Sequence, residues 1–193
     1  MTEVEWLMES DPFKLIGACN VSQRKGKLFV VGCCLQHNSV IGNRLNRKAI
    51  YSVEKYADGQ IEYDQLRANF GTGKMGYRIA TACSIECPIP MFVILGSCMT
   101  GDLKHEQNVE CTLIRDIFGN PFRPILADPD WLTPTAVAIA TAIYADRAFD
   151  RMPILADALE GAGCVNADVL LHCRGDGAHV QGCWVVDLLL GKE

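Results

Sequence analysis

The stretch that decides the fold is Phe149-Asp-Arg-Met-Pro-Ile-Leu-Ala-Asp-Ala-Leu-Glu-Gly-Ala-Gly-Cys164, continued by Asn166 to Arg174 and by Gly182-Cys-Trp-Val-Val-Asp-Leu-Leu-Leu-Gly191. Ile154, Leu155, Ala158 and Leu159 repeat at i, i+1, i+4 and i+5, and so do Trp184, Val185, Leu188 and Leu189. That spacing lines up one face of a helix and predicts that these residues point inward. Asp150 and Asn166 stand where an N-cap side chain accepts backbone N–H groups, and Pro153 suits a first turn. Gly161, Gly163, Gly175 and Gly191 supply the stops. Just upstream, Thr133-Pro134 starts another helix with Val137, Ala140 and Tyr144 on one edge and Ala136, Ile139 and Ile143 beside them. Four short helices with tight connections predict antiparallel or orthogonal helix packing rather than a sheet.

The same signals extend towards the N-terminus. Glu3 to Glu9 predicts a short helix with Val4, Leu7 and Met8 on one side, and Trp6 at an edge. Asp11-Pro12 caps the next, with Phe13 and Ile16 inward. Leu28-Phe-Val-Val-Gly-Cys-Cys-Leu35 suits a buried strand or a buried helix by periodicity alone, and its helical neighbours favour a helix. Asn43 to Tyr56 carries Leu45, Ala49, Ile50 and Val53 at helical spacing and stops at Asp58-Gly59. Ile61 to Phe70 and Lys104 to Phe118 predict two more helices, the second with Val109, Thr112-Leu113 and Asp116-Ile117 in register and Gly119-Asn120-Pro121 at its end. Phe122 to Leu132 is an extended connector, because a residue before proline is pushed away from helical geometry. The expected fold is mostly α, an irregular bundle of short helices, with room for one or two short strands in the middle. It forms a single domain over 1–193: a helical part over 1–120 with a Gly/Cys-rich middle (71–102), and a compact four-helix part over 121–193.

A chain of 193 residues with 49% hydrophobic and 21% charged residues can bury a substantial core. Its net charge of -5 argues against nucleic-acid binding, which needs concentrated basic surface. The acidic Met1-Thr-Glu-Val-Glu-Trp6 carries no secretory n-region, and no apolar run approaches the about 20 residues that span a bilayer. The expected location is therefore the cytoplasm, with no membrane partner. In that reducing compartment most of the ten cysteines are expected to be thiols, packed as small buried hydrophobes.

Cys164, His172, Cys173, His179 and Cys183 are the densest cluster of metal-ligating types, and thiolates and imidazoles are zinc's preferred ligands. His179-x3-Cys183 puts two of them one helical turn apart, with His172 or Cys173 supplied by the preceding helix. No Cys-x2-Cys knuckle is present, and adjacent His172 and Cys173 diverge on a helix. The candidate metal set is thus His172, Cys173, His179 and Cys183, weighed against buried thiols with histidines near helix ends. Cys83-x3-Cys87 with Cys98 and Cys111 fits no iron–sulfur spacing. Gly71-Thr-Gly-Lys74 fails as a phosphate loop, since Ala68 and Met75 stand where a glycine and a hydroxyl are needed. No nucleophile elbow is present; His172-Cys173 are neighbours that would not face each other. An enzyme site built on His105, Arg123 and Asp128 has no motif behind it, and Asp146, Asp150 and Asp157 are accounted for by caps and by ion pairs with Arg147 and Arg151.

Several of these segments resemble a large paralogous family of uncharacterised bacterial (planctomycete-type) proteins. They are Met1-Thr-Glu-Val-Glu-Trp-Leu7, Asp11-Pro12, Lys27-Leu-Phe-Val-Val-Gly-Cys-Cys34, Val53-Glu-Lys-Tyr-Ala-Asp-Gly59, Arg115-Asp-Ile-Phe-Gly-Asn-Pro-Phe-Arg-Pro124, Trp131-Leu132, Ala148 to Glu160, and His172-Cys-Arg174 to Gly191. The similarity covers both ends, about two thirds of the chain. The resemblance implies a helical fold and no particular chemistry. This chain departs from it at Leu35-Gln36, where basic residues are usual, and in its glycine-rich middle, where an alanine-rich stretch is usual. Leu155-Ala-Asp-Ala-Leu-Glu-Gly-Ala-Gly163 is also similar to a signature of small helical repeat-companion modules, which implies an interaction module.

The function expected from all this is a non-catalytic helical protein–protein interaction module, needing no cofactor and having a protein partner. The alternative is a structural zinc-binding or thiol-based redox protein using the C-terminal Cys/His set.

Overall fold

In the computed structural model, which describes residues 1–36, 44–69 and 103–193, the chain is helical, and no strand occurs among the described residues. The Gly/Cys-rich middle, with its room for short strands and its Cys83, Cys87 and Cys98, lies outside the described residues. Two compact units divide the chain, Met1–Ile114 and Arg115–Glu193. No helix among the described residues is long and apolar enough to cross a membrane.

The first unit contains α1 (Glu3–Met8), α2 (Pro12–Gly17), α3 (Gln23–Leu35), α4 (Arg44–Ala57), α5 (Tyr63–Asn69) and most of α6 (Leu103–Phe118). Local chemistry accounts for the starts. Thr2 and Glu5 form a capping box, Asp11 accepts from the Phe13 amide at 2.9 Å, and Ser22 accepts from the Lys25 amide at 3.2 Å. The ambiguous run Leu28–Cys34 is helical and buried throughout. Gly59, at φ 67, ends the turn after α4. Arg24 Nε donates to Asp58 Oδ1 at 2.8 Å, joining the first turn of α3 to the residue after α4.

Two short N-terminal helices turn differently from their sequence patterns. Trp6 is buried whereas Val4, Leu7 and Met8 are exposed, and Leu15 joins Ile16 inside while Phe13 faces out. A helix of six residues is less than two turns, so neighbours rather than periodicity decide which side is covered.

The second unit carries the end of α6, then α7 (Pro134–Asp146), α8 (Met152–Gly161), α9 (Ala167–Arg174) and α10 (Trp184–Leu190). Short 3-10 turns occupy Pro129–Trp131 and Phe149–Arg151. Within this unit α7 packs on α8 and α10, and α8 packs on α9. The core is Ala136, Ala140, Ile143, Met152, Leu155, Ala156, Leu159, Val169, Val185, Val186 and Leu189 with Cys164, Cys173 and Cys183, flanked by Trp131 and Trp184. Thr133 and Asn166 cap α7 and α9 as expected. Asp150 does not cap α8: it lies inside the 3-10 turn, and Arg151 takes the cap position with no side-chain bond. On α8, Met152 and Ala156 join Leu155 and Leu159 inward, and Ile154 is exposed.

A candidate metal centre

Three of the four residues chosen from sequence meet in the second unit, joined by one that was not. The side-chain ligand atoms of Asp116, His172, His179 and Cys183 all lie within 4.8 Å of one another. Each arrives from a different local device. Asp116 is in the last turn of α6, whose end is set by Gly119 at φ 65, with the Gly119 amide donating to the Arg115 carbonyl at 3.1 Å. His172 is in the last turn of α9, which Asn166 starts by accepting from both the Asp168 and Val169 amides. His179 and Cys183 come from the irregular segment between α9 and α10. A turn there has the Cys183 amide donating to the Val180 carbonyl at 3.0 Å, and Gly182 adopts φ 96 at its third position. The spacing of His179 and Cys183 is therefore that of a tight turn and not of a helix, and Cys183 is the N-cap residue of α10.

Asp116 Oδ1 stands 2.6 Å from His179 Nδ1 and 3.2 Å from His172 Nε2. Cys183 Sγ stands 3.2 Å from the same His172 Nε2 and 3.9 Å from the same His179 Nδ1. The Val180 amide donates to Asp116 Oδ2 at 3.0 Å and so turns the other oxygen towards the histidines. The two rings pack edge-on with centroids 4.9 Å apart, and Trp184 lies 5.1 Å from His172.

These distances separate two chemistries. In a nucleophile–histidine–carboxylate relay the imidazole bridges its partners with opposite nitrogens, one towards the nucleophile and one towards the acid. Here the acid and the thiol approach one nitrogen of each ring, an arrangement that converges on a point and passes no proton along a line. Zinc bond lengths of about 2.0–2.3 Å place tetrahedral ligand atoms about 3.3–3.6 Å apart. Four of the six separations, from 2.6 to 3.9 Å, bracket that edge, and all six lie within 4.8 Å. The residues present could thus hold a four-coordinate divalent ion once the Asp116–His179 pair opens and the wider pairs close towards that edge.

The electrostatics agree. Burial would raise the Asp116 carboxyl, but hydrogen bonds from His172 and His179 outweigh it and hold the group below the ordinary aspartate value. Burial first, then the Asp116 charge, pushes the Cys183 thiol well up, against the opposing pull of the Val186 and Val185 amides at the start of α10. An unactivated thiol is a poor nucleophile, whereas a bound cation would supply the charge that favours its thiolate. His179 Nε2 is buried and finds no hydrogen-bond partner among the described residues. Leaving such an atom dry costs about 1–3 kcal/mol, so the ring's orientation is set at its Nδ1 end.

Cys173 is not in the group. It is buried in the core of this unit, its thiol pushed up to about 12 by burial, Cys164 and Asp116. The separation from His172 is the divergence of adjacent helical positions. Cys164 lies in the same core. Of the residues of the other enzyme option, Asp128 caps its 3-10 turn by accepting from the Asp130 amide, Arg123 stands 3.7 Å from Asp168, and His105 is exposed on α6. Asp157 and Glu160 both pair with Arg174.

Asp116 was in register with the inward face of its helix in the sequence pattern, without a role. One signal could have flagged it. A carboxylate in the last turn opposes the helix dipole, so a tertiary partner must hold it there. Comparison with protein-family models, curated proteins and solved structures gave no match.

Proposed function

We propose that this protein is a non-catalytic helical module whose second unit is built on a structural divalent-metal site, with Asp116, His172, His179 and Cys183 as the ligands and zinc as the metal. The observation that carries the reading is the approach of acid and thiol to the same nitrogen of each histidine. Two imidazoles, a thiolate and a carboxylate match zinc's preferences, and four protein ligands are the mark of a structural rather than a catalytic site. The ion would tie the last turns of α6 and α9 to the start of α10, three places that no continuous run of sequence joins.

Elemental analysis of the full chain, purified without chelator, tests this directly. We expect about one zinc per chain. Cobalt in its place should give tetrahedral d–d absorption and a thiolate charge-transfer band that Cys183→Ser removes. Asp116→Asn should weaken binding by more than about 100-fold, beyond the loss usual for groups that only support a ligand. Absence of both metal and the cobalt spectrum would end the proposal.

A second reading, compatible with the first, is protein–protein contact. It is supported by the i, i+3, i+4 face of α1, where Val4, Leu7 and Met8 are 72%, 50% and 81% exposed. Partner capture by cross-linking should be lost in a Val4→Asp/Met8→Asp variant of unchanged helicity; equal capture by both proteins would remove α1 from consideration.

A further inference from the structure

The four candidate ligands are not held equally. Asp116 is 3% exposed in its side chain and has its second oxygen tied to the Val180 amide. Cys183 is fully buried as the N-cap residue of α10. The His179 side chain is 7% exposed, and its outer nitrogen is sealed in. The His172 side chain is 17% exposed, the most open of the four. Beyond the shared site its ring is held by an edge-on contact with His179 and a tilted contact with Trp184. Ligating histidines are usually fixed through the second ring nitrogen, and no hydrogen bond at His172 Nδ1 occurs among the described residues. α9 has eight residues, His172 is two from its end, and Gly175 continues in an extended conformation. Only the ring has to move for this ligand to leave: Cys173 beside it stays in the core and Arg174 stays paired with Asp157 and Glu160.

We propose that His172 is the exchangeable ligand of this centre: metal enters and leaves at its position, and a small external imidazole-type donor can take its place. The inference rests on the metal-site reading of the preceding subsection. When the ring swings out, Asp116, His179 and Cys183 still hold the ion, and the fourth position opens to solvent. Three protein ligands with one position left to water or another donor is a coordination zinc accepts readily. Opening at any other ligand would need a buried group to leave the core of the unit.

The test compares His172→Ala with His179→Ala in the cobalt- or zinc-loaded full chain, with imidazole as the external donor. Each variant should bind the metal at least about tenfold more weakly than the wild type. Added imidazole should restore the tetrahedral cobalt spectrum of His172→Ala but not that of His179→Ala, because only the first vacancy faces solvent. Imidazole should also accelerate zinc transfer from the wild-type protein to a chromogenic chelator, a measurement that needs no variant to fold. Rescue of His179→Ala to the same degree, no rescue of either, or a wild-type transfer rate independent of imidazole would each overturn the proposal. A wild-type chain that takes up neither zinc nor cobalt would instead overturn the metal-site reading beneath it.

Discussion

Glu110 on α6 is buried beside Glu106, and burial followed by that neighbouring charge raises its carboxyl to about 7. One oxygen of each acid finds no hydrogen-bond partner among the described residues, and the Glu110 charge also helps to keep the Cys33 thiol up. Below the unfolded value near 4.5 the Glu110 acid is neutral in both states and carries no penalty. As pH rises from 4.5 to the folded value of about 7, the unfolded chain ionises while the folded chain resists, so stability falls across that window and stays lower above it. Glu110→Gln should therefore stabilise the protein at pH 8 by on the order of 1 kcal/mol, after allowance for solvent screening, and change little at pH 4. Urea denaturation at the two pH values measures this, and an equal effect at both would contradict it. At this scale the sequence was only partly legible. His172, His179 and Cys183 could be singled out by residue type and density, since few side chains ligate metals. Asp116 was missed, because acids are common and its one local signal, a carboxylate opposing the dipole in the last turn of α6, does not say what partner holds it. Cys173 has the right chemistry and the wrong direction, which only its place on α9 reveals.

Helices were the most legible level. Thr133, Asn166, Gly59 and Gly191 each act within a few residues of themselves, and their positions in the chain already carry the reason. Asp150 shows the limit: a cap residue three positions before Pro153 still yields to a 3-10 turn that nothing in the spacing announces. The site leans on two local devices that can be tested. Gly182 adopts φ 96, which side-chain-bearing residues rarely take. Gly182→Ala should cost about 1–3 kcal/mol and shift Cys183 against His179, so thermal denaturation and cobalt affinity should fall together. Asn166→Ala should cost about 1 kcal/mol by uncapping the helix that carries His172. Its effect on metal affinity should be smaller, because the ligand lies at the far end of α9. Metal affinity unchanged in Gly182→Ala would mean that this turn does not position the thiol.

For the whole molecule, the candidate ligands all belong to the unit Arg115–Glu193, so metal should stabilise that unit by linkage. Free zinc at a thousand times its dissociation constant would add about 4 kcal/mol. Chelation should therefore reduce hydrogen-exchange protection across 167–190 and change the fluorescence of Trp184, which lies beside His172. Protection unaffected by chelator in a chain that had contained zinc would show that the ion is not structural. The sequence by itself determined that this protein is built from short capped helices with thiols packed as hydrophobes, because caps, glycine stops and apolar periodicity act over a single turn. Only the tertiary structure decided that Asp116 meets His179 across 63 positions, that Cys173 is left in the core, and that two histidines share one acid and one thiol. That decision depends on the angles at which α6, α9 and α10 come together, and side-chain packing sets those angles without leaving a pattern in the chain.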